Sequence, residues 1–481
     1  MKRKPRPPVE VTIDGLDGDG IGTGLDARGR RWTLRGAVPG SVVLAGGRCG
    51  SGTVLGVVQP AVDAVEPRCP VFGTCGGCLY QQVPLERQRA EKHAALTTLL
   101  APLGAPGVGP IGTPGEGYGY RNRMELSFGV DRYLGRAEQA RANAGEEIER
   151  AGRFLGLHGA GRFDRIVDLD ACAIASPALD AVLARVRADV LASPFPTWAP
   201  RAQTGFWRHL GLREGAEGVV LLVYTTPGAE AEAAWLVEHA PTWGAAAVLW
   251  YTTERTADAA VGDLRAVLHG EPRLAVSLGG VPLTLSPLAF FQVNPTGAEL
   301  LLRVIRGALR PGEGAPEPAD VAPDVAPSGL LLDLYCGVGA LGLALHHEFS
   351  AVAGIDLVAE GIAEAMRNAA LLGVRADYRA GPAEKLLPDL LRDHGCTGAK
   401  SQRLAVLVDP PRNGLHPDAL APLCTLDADV LVYVACRPSS LARDGAKLRA
   451  AGWRCTGWTA VDLFPHTAHV EVVARFVREP A

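Results

Sequence analysis

The rhythm of apolar and polar positions changes several times along this chain, and each change predicts a different kind of element. From Val9 to about Pro60, short alternating runs ("VTIDGLDGDGIGTG", "RRWTLRGAVPGSVVLAG", "GTVLGVVQP") are broken by Gly/Asp turns. Alternation with such closely spaced turns predicts a small β-barrel over residues 9–60. The stretch "VPLERQRAEKHAALTTLLAPL" then predicts a charged, amphipathic helix ending near Gly104. A middle region contains "YRNRMELSFGV", "VVLLVYTT" and "AAVLWYTT", whose β-branched and aromatic residues read as strands of a mixed sheet. Within it "SPALDAVLARVRADVLA" predicts a helix with Ser176 as cap and Pro177 in the first turn. Pro311 to Gly329, rich in Pro, Ala, Gly and acids, cannot build a core and reads as a flexible insertion. Beyond it the pattern becomes strand, glycine loop, helix, strand, the alternation of a doubly wound α/β domain.

The expected organisation is therefore a disordered tail over 1–8, a barrel over 9–60, a central mixed α+β domain over 61–280, and a Rossmann-like α/β domain over 281–481 interrupted at 311–329. A length of 481 residues agrees, being more than one hydrophobic core usually serves. A net charge of −4 excludes a chain that is basic overall, so any contact with nucleic acid must come from local patches. The basic run Lys2-Arg3-Lys4 with Arg6 reads as part of a solvated tail. No apolar stretch reaches membrane-spanning length and the N-terminus lacks a signal-peptide core, so the expected location is the cytoplasm, with no membrane partner. In that reducing compartment the ten cysteines read as core residues, nucleophiles or metal ligands rather than disulfides.

Three motifs carry chemistry. "LLLDLYCGVGALGLAL" is a buried strand, a G-x-G-x-x-G turn and a helix, and "AVAGIDL" is a second strand ending in Asp356. The glycines let a ligand approach the backbone and the acid accepts from ribose hydroxyls; a dinucleotide and adenosylmethionine fit this pattern equally. "LAVLVDPPRNGLHP" and "VLVYVACRPSSLARD" place Asp409 and Cys436 just after apolar strands, where ligands gather in such sheets. Cys436 could be a buried small hydrophobe, the commonest state of a cysteine, or a nucleophile; its place at a strand end, with Arg437 beside it to favour thiolate, shifts the balance to the nucleophile. Glu471, inside the apolar terminal strand "HVEVVARF", is costly there unless functional, and a buried general base is a natural use. The third motif, "CPVFGTCGGCLYQQ", supplies Cys69, Cys75 and Cys78, three ligands of a site that wants four.

Taken together, "FFQVNP", "DLYCGVG", "DPPRNG", "YVAC" and "FPHTAHVE" resemble the RNA uracil-5-methyltransferases that use S-adenosylmethionine, and the N-terminal barrel resembles a TRAM domain. The resemblance covers nearly the whole chain. It implies an enzyme that methylates carbon 5 of a uridine in RNA, with Cys436 as nucleophile and Glu471 as proton-abstracting base. By motif it carries the cofactor contacts to Gln292, Tyr335, Gly337, Gly339, Ala340, Asp356 and Asp409, with Gly381 a further backbone contact. It implies an RNA-contacting central sheet, where Tyr118, Tyr120, Arg121 and Arg123 could grip RNA by stacking and charge. The barrel and cysteine motif resemble the 23S ribosomal-RNA branch more than the transfer-RNA branch, which is the alternative. The expected state is a monomer.

For the fourth cysteine ligand, setting aside Cys336, Cys436 and the α/β-domain cysteines Cys396, Cys424 and Cys455 leaves Cys49 and Cys172. Cys172, just before a capped helix, sits in the more rigid place. The resemblance agrees, because members with a C-x5-C-G-G-C segment complete an iron–sulfur site with a later cysteine in such a context; spacing alone separates a 4Fe-4S cluster from zinc poorly. Two features depart from the family pattern: Arg437 stands where asparagine or aspartate is common, and the "RCGSGT" turn lacks a lysine run. Rival readings fare worse. An amino-group methyltransferase wants an aromatic residue, and an RNA cytosine-5 enzyme a cysteine, at the position of Arg412. A radical adenosylmethionine enzyme wants C-x3-C-x2-C. An RNA-binding or folding factor that lost its chemistry would not need Cys436 and Glu471.

Overall fold

The structure is a computed structural model that describes residues 7–48, 50–159, 162–321, 326–396 and 403–479. The basic run at Lys2, Arg3, Lys4 and Arg6, Cys49, and residues 322–325 of the expected insertion lie outside the described residues. Among the described residues the strands form a closed five-stranded barrel, a seven-stranded sheet, a two-stranded hairpin and an eight-stranded sheet.

The barrel is built by strands Val9–Leu16, Gly22–Asp26, Arg31–Arg35, Val42–Arg48 and Ser51–Gln59. Its alternating pattern turns Val11, Ile13, Trp32, Leu34, Val43 and Ala45 inward to fill the interior, as period-two side chains on a closed sheet must. The central sheet runs in the order Asp263–His269, Ala247–Thr252, Gly218–Thr225, Trp207–Gly215, Arg123–Asp131, Ala151–His158, Ile166–Asp168. Only the pair Gly218–Thr225 with Ala247–Thr252 is parallel. The helix Pro177–Ala192 covers one face with Leu179, Val182, Val186 and Val190. Its Ser176 Oγ accepts from Leu179 N at 3.3 Å and Pro177 opens the first turn, as the sequence predicts.

The C-terminal sheet has the order Ala376–Ala380, Ala351–Asp356, Leu330–Leu334, Leu404–Val408, Val430–Ala435, Glu471–Arg478, Trp453–Val461, Gly107–Ile111. The first five strands are parallel, and Glu471–Arg478 then enters antiparallel between two neighbours. Burial on both faces explains the unbroken apolar runs of its central strands, for instance Leu404–Val408. This is the doubly wound α/β class expected from the sequence.

Two placements differ from the linear reading. The helix Leu85–Leu100 and strand Gly107–Ile111, expected in the central region, belong to the C-terminal sheet: the strand pairs with the edge strand Trp453–Val461, and Leu96 and Leu100 join that core. An unpaired edge recruits a partner regardless of its distance in sequence. The described part of the expected insertion is also tied down. Gly312 O accepts from Arg475 Nη1 and Pro316 O from Thr459 Oγ1, both at 2.6 Å, and Glu313 pairs with Arg454 at 2.8 Å. Two backbone carbonyls and one ion pair do this anchoring, and composition does not encode it.

Candidate active site

The cofactor loop is shaped by backbone strain and by two acids. At the end of strand Leu330–Leu334, Tyr335 has φ 62°, unusual for a residue with a side chain, and Gly337 (55°) and Gly339 (72°) continue the left-handed path. A Cβ at Gly339 would stand 2.8 Å from the Tyr378 hydroxyl, so only glycine fits there. Ala340 begins the short helix that follows. Asp356, at the end of the neighbouring strand, accepts from Gly337 N at 2.9 Å and from Val358 N at 2.8 Å. It therefore holds the loop from the neighbouring strand. Asp333 accepts from Gly342 N at 3.0 Å, and burial pushes its carboxyl up to about 8. Gly381 N donates to Asp356 O at 2.8 Å, closing the same corner.

Gln292 is fixed through its backbone. Its carbonyl accepts from Asn122 Nδ2 at 3.3 Å and that of Val293 from Asn122 N at 2.9 Å, which ties "FFQVNP" to the central sheet. Asn294 caps the helix Pro295–Leu309 through Gly297 N and donates to Leu463 O at 2.9 Å, tying the same segment to the 462–469 turn.

The catalytic candidates meet across one antiparallel pair. Ala435 is in register with Val472, so the next step sets Cys436, just past its strand, opposite Glu471. Glu471 is 4% exposed; burial and then the charge of Asp409 push its carboxyl well above the usual carboxylate range. Asp409, after strand Leu404–Val408, is pushed up by burial to about 7. The Cys436 thiol is pushed up to about 11 by burial and by the neighbouring Glu471 and Asp409, against the pull of Arg412.

The expectation that Arg437 favours the thiolate is corrected here. Its guanidinium turns away to the barrel's Asp19 at 3.2 Å, and the cation that acts on Cys436 is Arg412. Tyr118 and Tyr120 are likewise engaged internally. Tyr118 stacks on His466 with centroids 4.2 Å apart and Tyr120 donates to Pro465 O at 3.2 Å, so they brace the turn before Glu471. Arg121 donates to Arg123 O at 2.7 Å and Arg123 to Ala289 O at 3.1 Å.

The sequence reading missed the polar side chains that hold this turn. Gln88 Oε1 accepts from His466 N at 2.9 Å, and buried Lys92 pairs with Asp462 at 2.7 Å and donates to His469 O at 3.1 Å. His466 has φ 66°, so the turn is strained as well as anchored. "FPHTAHVE" was a visible motif, but nothing local pairs it with a helix more than 360 residues upstream.

The four cysteines come from two segments of the chain. Cys69, Cys75 and Cys78 lie in the turns before helix Leu85–Leu100, and Cys172 before helix Pro177–Ala192. Burial raises the Cys69, Cys78 and Cys172 thiols, with further raising from neighbours within the set; Cys78 is pushed up to about 12. Gln81 accepts from Cys69 N at 3.0 Å and Asp180 from Cys172 N at 3.1 Å. Among the described residues no group of three or more His, Cys, Asp or Glu side chains is placed so that it could hold a metal ion. Likewise no helix among them is long and apolar enough to cross a membrane.

The comparisons with known proteins agree with this architecture. The family described as tRNA (uracil-5-)-methyltransferase matches residues 325–478. An RNA methyltransferase of Gloeobacter violaceus, itself uncharacterized, is 32% identical over 489 residues, covering 98% of this chain and 96% of the relative. Another from Chlorobaculum tepidum is 31% identical over 88% of this chain and 85% of its own length. The chain belongs to the RNA uracil-5-methyltransferase family. For this methyltransferase the fold is paralleled in the Pyrococcus abyssi tRNA (uracil-54, C5)-methyltransferase solved with S-adenosyl-L-homocysteine, at 23% identity and a TM-score of 0.71 over 97% of this chain and 99% of that one. The methyltransferase is thus an enzyme of RNA modification, as the motifs imply.

Proposed function

We propose that this enzyme, as a monomer, methylates carbon 5 of a uridine in RNA through a covalent adduct on Cys436. The observation that carries the reading is the strand register that sets Cys436 opposite Glu471 beside Asp409 and Arg412. S-adenosylmethionine supplies the methyl group as a sulfonium. Tyr335, Gly337, Gly339, Ala340 and Asp356 would hold it from the glycine-loop side, and Gln292 and Asp409 from the facing segments.

Carbon 5 of uracil is too weak a nucleophile to take a methyl group unaided. Cys436, as thiolate, adds at carbon 6 and makes carbon 5 enolate-like, which splits one hard step into two. Arg412 favours the thiolate and the developing anion. After methyl transfer carbon 5 still carries its proton. Glu471 removes it, the electron pair re-forms the 5,6 double bond, and Cys436 leaves as thiolate. Glu471 must be ionised for this step, and the burial that raises its carboxyl works against that.

We assign Cys69, Cys75, Cys78 and Cys172 to a 4Fe-4S cluster. The donor set suits it in kind: four thiols from two segments, with Cys69, Cys78 and Cys172 each raised in part by others of the set. No step above needs an electron, so the cluster would cross-link the 67–82 turns to the central domain.

The RNA is read as 23S ribosomal RNA. A transfer-RNA substrate is the second reading, because the Pyrococcus abyssi tRNA (uracil-54, C5)-methyltransferase shares the fold along 97% of this chain. Mass mapping of 5-methyluridine in RNA from cells with and without the gene decides. Loss of one 5-methyluridine from 23S RNA is the expected result; loss from tRNA alone would transfer the assignment to tRNA.

A further inference from the structure

One loop of the barrel reaches the catalytic turn. Residues 17–21 fold on themselves: Asp17 Oδ1 accepts from Asp19 N at 3.0 Å and from Ile21 N at 2.8 Å, and Asp17 N donates to Ile21 O at 2.8 Å. The loop is then seated from outside. The Tyr80 hydroxyl donates to Gly20 O. A Cβ at Gly20 would stand 2.6 Å from Ala468 O, and one at Gly18 would stand 2.5 Å from Leu99 Cδ2. The loop therefore rests directly on the turn before Glu471 and on helix Leu85–Leu100, with no room for side chains at either glycine.

What this seating delivers is Asp19. Its Oδ2 meets Arg437 Nη2 at 3.2 Å and its Oδ1 accepts from Ser439 Oγ at 3.1 Å. These two residues flank Pro438, the first residue of helix Pro438–Ala450, and Arg437 directly follows Cys436. Both carboxylate oxygens thus grip the turn that carries the nucleophile. As an ion pair the contact is worth little, since Arg437 is 50% and Asp19 36% exposed at the side chain. A stability role does not account for a loop so closely fitted.

The geometry points to a positioning role for the barrel: through Asp19, the 17–21 loop fixes the Cys436–Ser439 turn and holds Arg437 off the nucleophile. Asp19 is a positioning residue, acting through Arg437 and Ser439. The barrel then bears on the methyl-transfer step and not on RNA affinity alone. This rests on the reading of Cys436 as nucleophile.

The test is single-turnover methylation, together with adduct formation on RNA carrying 5-fluorouridine, at saturating RNA and S-adenosylmethionine. Displacing a reacting group by about 1 Å can cost roughly a hundredfold in rate. Asp19→Ala is expected to slow both reactions about tenfold or more, with RNA affinity, cofactor affinity and melting temperature unchanged. Asp19→Asn, which keeps an acceptor for Ser439, should recover part of the loss. Arg437→Ala should slow the step as well, and the double variant should be no slower than the slower single one. Ser439→Ala probes the same contact from the helix side should Asp19→Ala fold poorly. Wild-type rates in Asp19→Ala and Ser439→Ala, or a loss confined to RNA affinity, would overturn the positioning role while leaving Cys436 in place. Absence of any wild-type adduct would instead overturn the nucleophile assignment on which the proposal rests.

Discussion

Cys436 rests as a thiol, and the Glu471 carboxyl is pushed well above the usual carboxylate range. Each owes this first to burial and then to the acids around it, Glu471 and Asp409 for the thiol and Asp409 for Glu471. Both are needed in their ionised forms, so the pH dependence has a definite sign. Below its pKa, the reactive fraction of each grows about tenfold per pH unit. The single-turnover rate should therefore climb from about pH 6.5 to about pH 9, with Cys436 at about 11 still short of its plateau. A rate that peaks near pH 6 and falls above it would contradict the assignment. At this scale the sequence was legible wherever a motif named a residue type: Cys436, Glu471, Asp356 and the glycines stand where the spacing put them. The direction of Arg437 was not legible. Adjacency in sequence says nothing about where a long side chain finds its partner, and Asp19 lies 418 positions away.

Helix Leu85–Leu100 shows what periodicity can and cannot give. Its existence was plain, but its polar positions read as a solvated face. Gln88 and Lys92 are instead 3% and 2% exposed and serve as anchors for the 462–469 turn. A buried polar group is stable only with its partner, and here the partners come from the other end of the chain. Lys92→Met would leave Asp462 buried with only the longer contact to Arg89 at 3.4 Å. Removing one member of a buried pair costs about 3–5 kcal/mol, so a loss of up to about 3 kcal/mol is expected in urea unfolding, together with a slower reaction, because the turn leads into Glu471. An unchanged midpoint would show that the pair bears no load. The same logic explains strand Gly107–Ile111, which the sequence reading did not single out: its place is decided by which sheet edge is open, not by its local pattern.

Across the whole molecule, barrel, central sheet and cysteine turns all lead to the two segments that carry the chemistry. The barrel touches the Cys436 helix through Asp19, and the cysteine turns touch the Glu471 turn, since Leu79 N and Tyr80 N both donate to His466 O, at 2.8 and 3.0 Å. The three-part architecture and the C-terminal fold class were readable from pattern changes; these cross-links, made by pairs far apart in sequence, were not. The cysteine assignment is tested by composition: protein purified without oxygen should be brown and contain iron and sulfide, lost together when the four cysteines are replaced. Stoichiometric zinc without iron would contradict it.

The covalent route itself is tested most directly by the mass of what Glu471→Gln accumulates on target RNA. Without the base, attack by Cys436 and methyl transfer can proceed but the carbon 5 proton stays, and elimination loses a factor of roughly a hundred to ten thousand. The expected result is a denaturant-resistant complex whose mass equals protein plus RNA plus one methyl group, and its absence in Cys436→Ala. Normal turnover by Glu471→Gln without a complex, or methylation by Cys436→Ala, would contradict the account.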